Sequence, residues 1–314
     1  MAQHQSSVGQ PASRELFKLR YRLKWLPQAQ FAGGYMAASK GFYRAAGLDV
    51  EILPGGVDDP PYESLLKGDS DISSLNLIFA IRHYHLGPRL VNLAQITQKN
   101  STYLVGKKSS GIRQISDLRG RKVGVWRDEA GEYVRFMLEN LDPTIQVVPI
   151  DWSVNLLLKD AIDMMNVMDY NEYHRLLMAG LDEDELVSFN LSDYGYDLID
   201  DGLYTTETFY QAHTRECWAF AEATLAGWRY AFAHTEETLD VILERIKAAN
   251  LPANRTHQAW MLGKMKDKVL ANPERIGYLD PKDFKHAQEI LRTENKLPSP
   301  VSYSSFYPHE NRIP

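Results

Sequence analysis

The chain has 314 residues, 44% of them hydrophobic and 24% charged, which excludes a disordered protein and predicts two domains or one bilobed one. A net charge of -6, with Lys and Arg scattered among the acids, argues against the basic stripe that nucleic acid requires. The single Cys217 excludes an intramolecular disulfide framework and a CxxC zinc site, and no run approaches the roughly 20 apolar residues that cross a bilayer.

The opening "MAQHQSSVGQPASRELF" has no apolar h-region, so residues 1–14 read as a disordered lead-in, with any signal or anchor trimmed before this chain. "FKLRYRLKW" then alternates apolar and polar residues as a strand does. Phe31, Tyr35, Ala38 and Phe42 repeat at helical spacing, and Gly41 and Gly47 offer C-terminal stops. "LDVEIL" is a second strand, "YESLLKG" a short helix closed by Gly68, and "SDISSLN" a third strand leading into the helix "LIFAIRHYH". "RLVNLAQITQ" is the next β-rich run, and this βαβα rhythm predicts a parallel, helix-covered sheet.

The Gly, Ser and Lys cluster at 106–111 reads as a boundary. A second series follows: "KVGVW", the helix "AGEYVRFMLENL", "IQVVPI", the helix "VNLLLKD", "IDMMNVM", the helix "NEYHRLLMAG" and "ELVSFN". The chain turns again at "DLIDDGLYTTE" and is then almost entirely helical. Trp218, Ala221, Leu225, Trp228 and Phe232 form one apolar stripe, Leu239, Ile242 and Ile246 another, and segments 256–271 and 281–294 complete a helical tail. Two α/β series with a helical return predict two lobes, whose cleft, beyond the carboxyl ends of the strands, is the expected ligand site.

"KWLPQAQFAGGYMAASKGFYRAAGLDVEI" resembles the opening of ABC-transporter solute-binding proteins of the thiamine-pyrimidine-precursor (no-message-in-thiamine-like) family. The motifs "LLKGDSDISSLN", "ISDLRGRKVGVW", "MDYNEYHRLLMAGLDEDELVSF", "DYGYDLIDDGLYTTE", "ATLAGWRYAFAH" and "IGYLDPKDF" extend the likeness, in family order, over about 18–294. The resemblance implies a type II periplasmic-binding-protein fold: two α/β lobes joined by two crossover strands, with a C-terminal helical tail. Lobe one would comprise 15–105 plus 205–314 and lobe two 106–204, closing by a hinge on a small molecule. The chain departs from the family pattern at "RDEAGE", where many relatives have a Gly-rich turn, and at "SSLN".

Trp25, Gln28, Gln30 and Phe31 cluster at the end of the first strand, where an aromatic wall with amide donors and acceptors would suit a heteroaromatic ring. The plain alternative is a part-buried Trp beside solvated glutamines. Ser73, Ser74 and Asn76 precede a helix and would either cap it or hold a polar ligand edge. Gln98 ends the next strand, as a cleft residue or an exposed turn. Trp126 and Arg127 end the "KVGVW" strand; the indole would close on the ligand or plug the lobe interface, and a lone Arg suits an anion or the surface. Tyr170, Asn171 and Glu172 start a helix, as stacking and hydrogen-bonding groups or as a helix cap and first-turn acid. Tyr194 and Asp201 lie near the returning crossover, where Asp201 would meet a ligand amine or serve the hinge.

"LDEDEL" lacks the alternation and glycine of an EF-hand loop and reads as solvated. His83 and His85 point apart on a helix, so no metal site is expected, and no P-loop or cofactor motif is present. Sequons at Asn100, Asn190 and Asn254 carry no weight without a secretory eukaryotic context. The expectation is therefore a non-catalytic, monomeric, periplasmic or extracytoplasmic receptor that hands a small heteroaromatic solute to an ABC transporter permease. A thiamine-pathway pyrimidine stands first and a flavin second. Two alternatives remain open: the input domain of a membrane signalling protein, and an enzyme like the yeast-type pyrimidine synthases. Those synthases carry a cysteine-rich run, whereas this chain has only Cys217.

Overall fold

A computed structural model describes residues 15–56, 58–127 and 131–309; the expected lead-in at 1–14 and residues 128–130 of the "RDEAGE" turn lie outside them. The strands run in chain order as β1 (Phe17–Arg22), β2 (Leu48–Leu53), β3 (Ile72–Asn76), β4 (Leu90–Gln95) and β5 (Thr102–Lys107). They continue as β6 (Lys122–Trp126), β7 (Gln146–Ile150), β8 (Met164–Met168), β9 (Leu186–Asn190) and β10 (Asp201–Thr206). One sheet has the order β2-β1-β3-β10-β4 and the other β7-β6-β8-β5-β9.

Both sheets are mixed, which corrects the all-parallel expectation. β1 pairs in parallel with β2 and β3, and β6 with β7 and β8. β10 is antiparallel to β3 and β4, and β5 antiparallel to β8 and β9. The reason is connectivity: β5 and β10 are the strands that arrive from the other sheet. Each enters at the carboxyl edge of its new neighbours and must run against them.

The chain crosses between sheets at 96–101 and 191–200, so boundaries at 105/106 and 204/205 would cut through β5 and β10. The cluster at 106–111 is instead a turn after β5, where Gly111 closes the short helix Lys108–Ser110 at φ 79. The two crossovers are tied together. Thr97 Oγ1 accepts the Asp200 N–H at 3.1 Å, and Asn100 Nδ2 donates to Asn190 Oδ1 at 2.9 Å.

The first sheet is covered by a close helix pair, Ala32–Ser39 against Thr214–Ala233. Glycines set their approach, since a Cβ on Gly227 would stand 2.0 Å from the Gly33 carbonyl oxygen. Pro281–Thr293 packs on Leu77–His83, and Arg255–Val269 reaches both the short helix Ala29–Phe31 and the second lobe's Glu172–Met178. The acidic run at 181–186 carries a short capped helix, Glu183–Glu185, with its acids exposed. His83 turns back to the Phe79 carbonyl and His85 reaches Ser299, so the two do not converge.

Candidate functional site

β1, β3, β6 and β8 all end towards the space between the sheets, and the segments that follow them form its walls. After β1 the Lys24 N–H donates to Ser74 Oγ at 2.9 Å, which holds the loop against the end of β3. Gln28 is extended (φ -164, ψ 173) before the short helix Ala29–Phe31, and the Ala29 N–H donates to Gln258 Oε1 at 2.7 Å. Gln28 and Gln30 are both buried.

Their amides form one directed chain. A carboxylate only accepts, so Gln30 turns Nε2 to Asp201 Oδ2 at 2.7 Å, and its Oε1 then takes Gln28 Nε2 at 2.5 Å. Gln28 Oε1 is therefore the acceptor end of the chain. Lys24 Nζ pairs with Asp201 Oδ1 and also donates to Asn76 Oδ1. Asn76 occupies the N-cap position of Leu77–His83 but makes no cap bond, so the capping alternative does not account for it. Ser73 stays within its own lobe, bonding Ser70 and the Pro61 carbonyl.

On the facing side, Trp126 closes β6 with its N–H on Asn166 Oδ1 at 2.9 Å. Tyr170 is 3% exposed; burial, and then the Asp201 and Asp200 carboxylates, raise its hydroxyl well above the ordinary value. Tyr170 belongs to the same apolar cluster as Trp126. Asn171 also makes no cap bond. Its Nδ2 donates to Glu172 Oε1 at 2.8 Å, while Glu172 Oε2 takes the Met168 N–H at 2.9 Å. Both Glu172 oxygens are thereby engaged in holding the end of β8.

Trp25, Gln28, Gln30, Ser74, Asn76 and Asp201 share one wall, and Trp126, Tyr170, Asn171 and Glu172 the other. Trp25 is half-buried against an apolar cluster that includes Phe31, Trp126 and Tyr170 and so runs across the cleft. Phe31, 4% exposed, is core. Two expected residues stand apart. Gln98 turns Nε2 to the Arg275 carbonyl at 2.6 Å and ties the crossover to the tail, and Tyr194 is exposed with its ring edge-on to Phe189. Arg127 pairs with Asp151 at the surface.

The sequence reading missed Lys24, Asp200 and the face of Arg255–Val269 that carries His257, Gln258 and Lys268. Burial pushes Asp200 up to about 6 against the pull of Lys24. Lys268 Nζ meets Asp169 Oδ2 at 2.8 Å across the lobes, and the Trp260 indole N–H donates to the Asp169 carbonyl at 3.0 Å. The signal was there in part: Lys24 adjoins Trp25, and His257, Gln258 and Lys268 are polar positions on the buried side of an otherwise apolar stripe.

The family described as NMT1/THI5 like matches residues 28–238, more than half of the chain. The riboflavin-binding protein RibY of Chloroflexus aurantiacus is 20% identical over 314 residues, covering 95% of this chain and 87% of that protein. A Haemophilus influenzae protein whose name assigns it to thiamine biosynthesis is 23% identical, covering 92% and 91%. The 4-amino-5-hydroxymethyl-2-methylpyrimidine phosphate synthase THI11 of Saccharomyces cerevisiae is 23% identical over 43% of this chain and 39% of its own. Among solved structures, the periplasmic aliphatic sulphonate binding protein SsuA of Escherichia coli superposes with a TM-score of 0.69 at 13% identity, covering 94% and 99%. That likeness establishes the periplasmic-binding-protein fold. The chain belongs to the NMT1/THI5-like family.

Proposed function

We propose that the protein is the extracytoplasmic receptor of an ABC-type importer and closes its two lobes on a small heteroaromatic solute. A thiamine-pathway aminopyrimidine is the first candidate and a flavin the second. The observation that carries this reading is the directed chain Gln28–Gln30–Asp201 opposite Tyr170. It presents an amide acceptor, backed by a carboxylate, at the edge of an apolar cleft that includes Trp126, Tyr170 and the flank of Trp25. An exocyclic ring amine is the donor that such an acceptor suits, and the apolar faces suit the ring itself. The full-length likeness to a riboflavin-binding protein and to a protein named for thiamine biosynthesis supports a ring compound over a small oxyanion. Lys24, beside the amide chain, is already matched by Asp201, which disfavours an anionic solute there.

Catalysis by the lone thiol is disfavoured on physical grounds. Cys217 is fully buried in the helix Thr214–Ala233, and burial pushes its thiol up to about 12, so it is not a thiolate at neutral pH.

Isothermal titration with 4-amino-5-hydroxymethyl-2-methylpyrimidine, riboflavin and an alkanesulfonate tests the proposal. Heat with the pyrimidine or the flavin is expected. Heat with the sulfonate alone overturns the aromatic reading while leaving the fold untouched.

A further inference from the structure

The helix Arg255–Val269 packs with the first lobe, yet its opening turn is set into the second. There His257, 5% exposed, lies between two side chains of the facing lobe. Its Nε2 is 3.1 Å from Asn171 Oδ1, and its Nδ1 is 3.0 Å from His174 Nδ1. The two imidazole planes are 11° apart with centroids at 5.2 Å, so the rings meet at their edges through those nitrogens. Trp260 stacks on His174 with ring centroids 4.7 Å apart.

A hydrogen bond between two Nδ1 atoms needs one N–H and one lone pair. The neighbours decide which ring supplies which. Glu172 Oε1 takes Asn171 Nδ2, which turns the amide so that Oδ1 faces His257. An amide oxygen only accepts, so the His257 proton sits on Nε2. Its Nδ1 is then the lone pair, and His174 Nδ1–H donates into it. With His257 neutral the relay Glu172–Asn171–His257–His174 closes as it stands; a protonated His257 requires His174 to move its proton to Nε2 and places a charge in a buried site beside Arg175.

We propose that His257 is a proton-sensitive latch: neutral, it bridges Asn171 and His174 and holds the cleft shut, and protonated, it carries a charge buried between the lobes beside Arg175 that is relieved when the second lobe moves away. His257 thereby also acts as a positioning residue, since it fixes the amide orientation of Asn171 in the cleft wall. The charged groups on the elements around it do not rescue the protonated form. From the second lobe come Asp169, held by Lys268, then Glu172, held by the Met168 N–H and Asn171, and Arg175, whose charge opposes an imidazolium. Its own helix adds Lys264 and Lys268; the packed helix Thr235–Ala248 adds Glu236 and Asp240, both taken by Arg255. The short helix Ala29–Phe31 adds no charge.

Burial first, and then Arg175 and His174, hold His257 down at about 4, and burial lowers His174 as well. With the lobes apart, the ring returns to the ordinary value of about 6.5. The sign follows: closure is fully favoured above about pH 6.5 and is lost as pH falls toward about 4. In between, the closed-to-open ratio drops by about tenfold per pH unit.

Small-angle scattering of the whole chain without added solute, from about pH 7.5 to about pH 4.5, tests the latch, with far-UV circular dichroism as the control for folding. His257→Gln keeps a donor for Asn171 and takes no proton. The native radius of gyration is expected to rise on acidification at constant dichroism, and that of H257Q to stay flat. A flat native curve, or an equal rise in H257Q, overturns the proposal. Nitrogen-15 spectra of the native imidazoles give a second test that needs no variant: His257 should be the Nε2–H tautomer, still neutral at about pH 5.5, and a ring titrating near 6.5 overturns the latch. The inference rests on reading the molecule as a closing clamp. No solute enters the test, so its failure is separate from a failure of the aromatic-ligand reading.

Discussion

Lys24 shows how much one side chain beside the expected cluster carries. Its ammonium is the countercharge for Asp201, with which it pairs, and it also pulls on the neighbouring Asp200. Both partners of the pair are largely withdrawn from water, with side chains 14% and 5% exposed. Removing one member of such a pair leaves an uncompensated buried charge, and Lys24→Met is expected to cost about 3–5 kcal/mol in urea unfolding at pH near 8. Burial raises Asp200 to about 6 even with Lys24 present, so its ionisation opposes the native state increasingly from 3.8 up to about 6, and losing Lys24 would extend that opposition to higher pH. The K24M deficit should therefore shrink as pH is lowered toward about 5, and a deficit constant with pH would show that Lys24 acts by packing alone. Trp25, Gln28 and Gln30 stood out in the sequence because polar amides beside a Trp at a strand end are unusual, although the structure buries both glutamines and pairs them with Asp201. Lys24 was not, because a lysine ending an alternating strand looks solvated. Gln98 and Tyr194 were misplaced for a related reason: a strand-end position says where a residue is, and nothing in one sequence says which way it turns. The partner of His257 at Asn171 lies 86 residues away, beyond any local pattern.

Most strands and helices were legible because their apolar periods of two and 3.6 residues are local properties. The direction of β5 and β10 was not, since alternation reads the same in a parallel or an antiparallel strand. The turn at 106–111 attracted the boundary because Gly and Ser mark chain reversal whether it falls within a lobe or between lobes. The crossovers at 96–101 and 191–200 carry no such mark; they are held by Thr97, Asn100 and Asn190 contacts that form only on folding. The helix pair over the first sheet yields a prediction of its own. A Cβ on Gly227 would meet the Gly33 carbonyl oxygen at 2.0 Å and the Ala37 nitrogen at 2.8 Å, both backbone atoms that no rotamer change can clear. Gly227→Ala must push the helices Ala32–Ser39 and Thr214–Ala233 apart, and overpacking of this kind costs about 1–3 kcal/mol. Although alanine is the better helix former by about 1 kcal/mol, the clash is expected to win, and thermal unfolding should show a lowered midpoint. A raised midpoint would mean that the pair slides rather than packs.

The molecule as a whole is pinned shut at two edges of the cleft, and the two edges respond to acid in opposite senses. At one edge sits the His257 bridge, which favours closure at higher pH. At the other, Glu132 of the second lobe is clasped between Arg82 and Lys296, the latter at 2.9 Å. Glu294 lines the same small cavity, together with Asn76, Phe79, Arg82, Glu132 and Tyr133. It is 8% exposed, and its Oε1 has no hydrogen-bond donor among the described residues. Burial pushes Glu294 up to about 7, against the pull of Lys296 and Arg82. A carboxyl raised in this way is held neutral in the compact molecule. It does not oppose the compact state below its ordinary value of 4.5, opposes it increasingly as pH rises from there to about 7, and adds no further opposition above that. The two windows, from about 4 to 6.5 for His257 and from 4.5 to about 7 for Glu294, overlap, so on acidification the gain at Glu294 offsets part of the loss at His257. Glu294→Gln removes the ionisation while keeping the shape, so its effect isolates the Glu294 contribution. The variant is expected to match the native protein in thermal unfolding near pH 5 and to exceed it by roughly 2 °C or more near pH 8. Equal midpoints at both pH values would mean that Glu294 is solvated in solution and contributes nothing to the pH response. A gain at pH 5 as large as at pH 8 would point to packing rather than to charge.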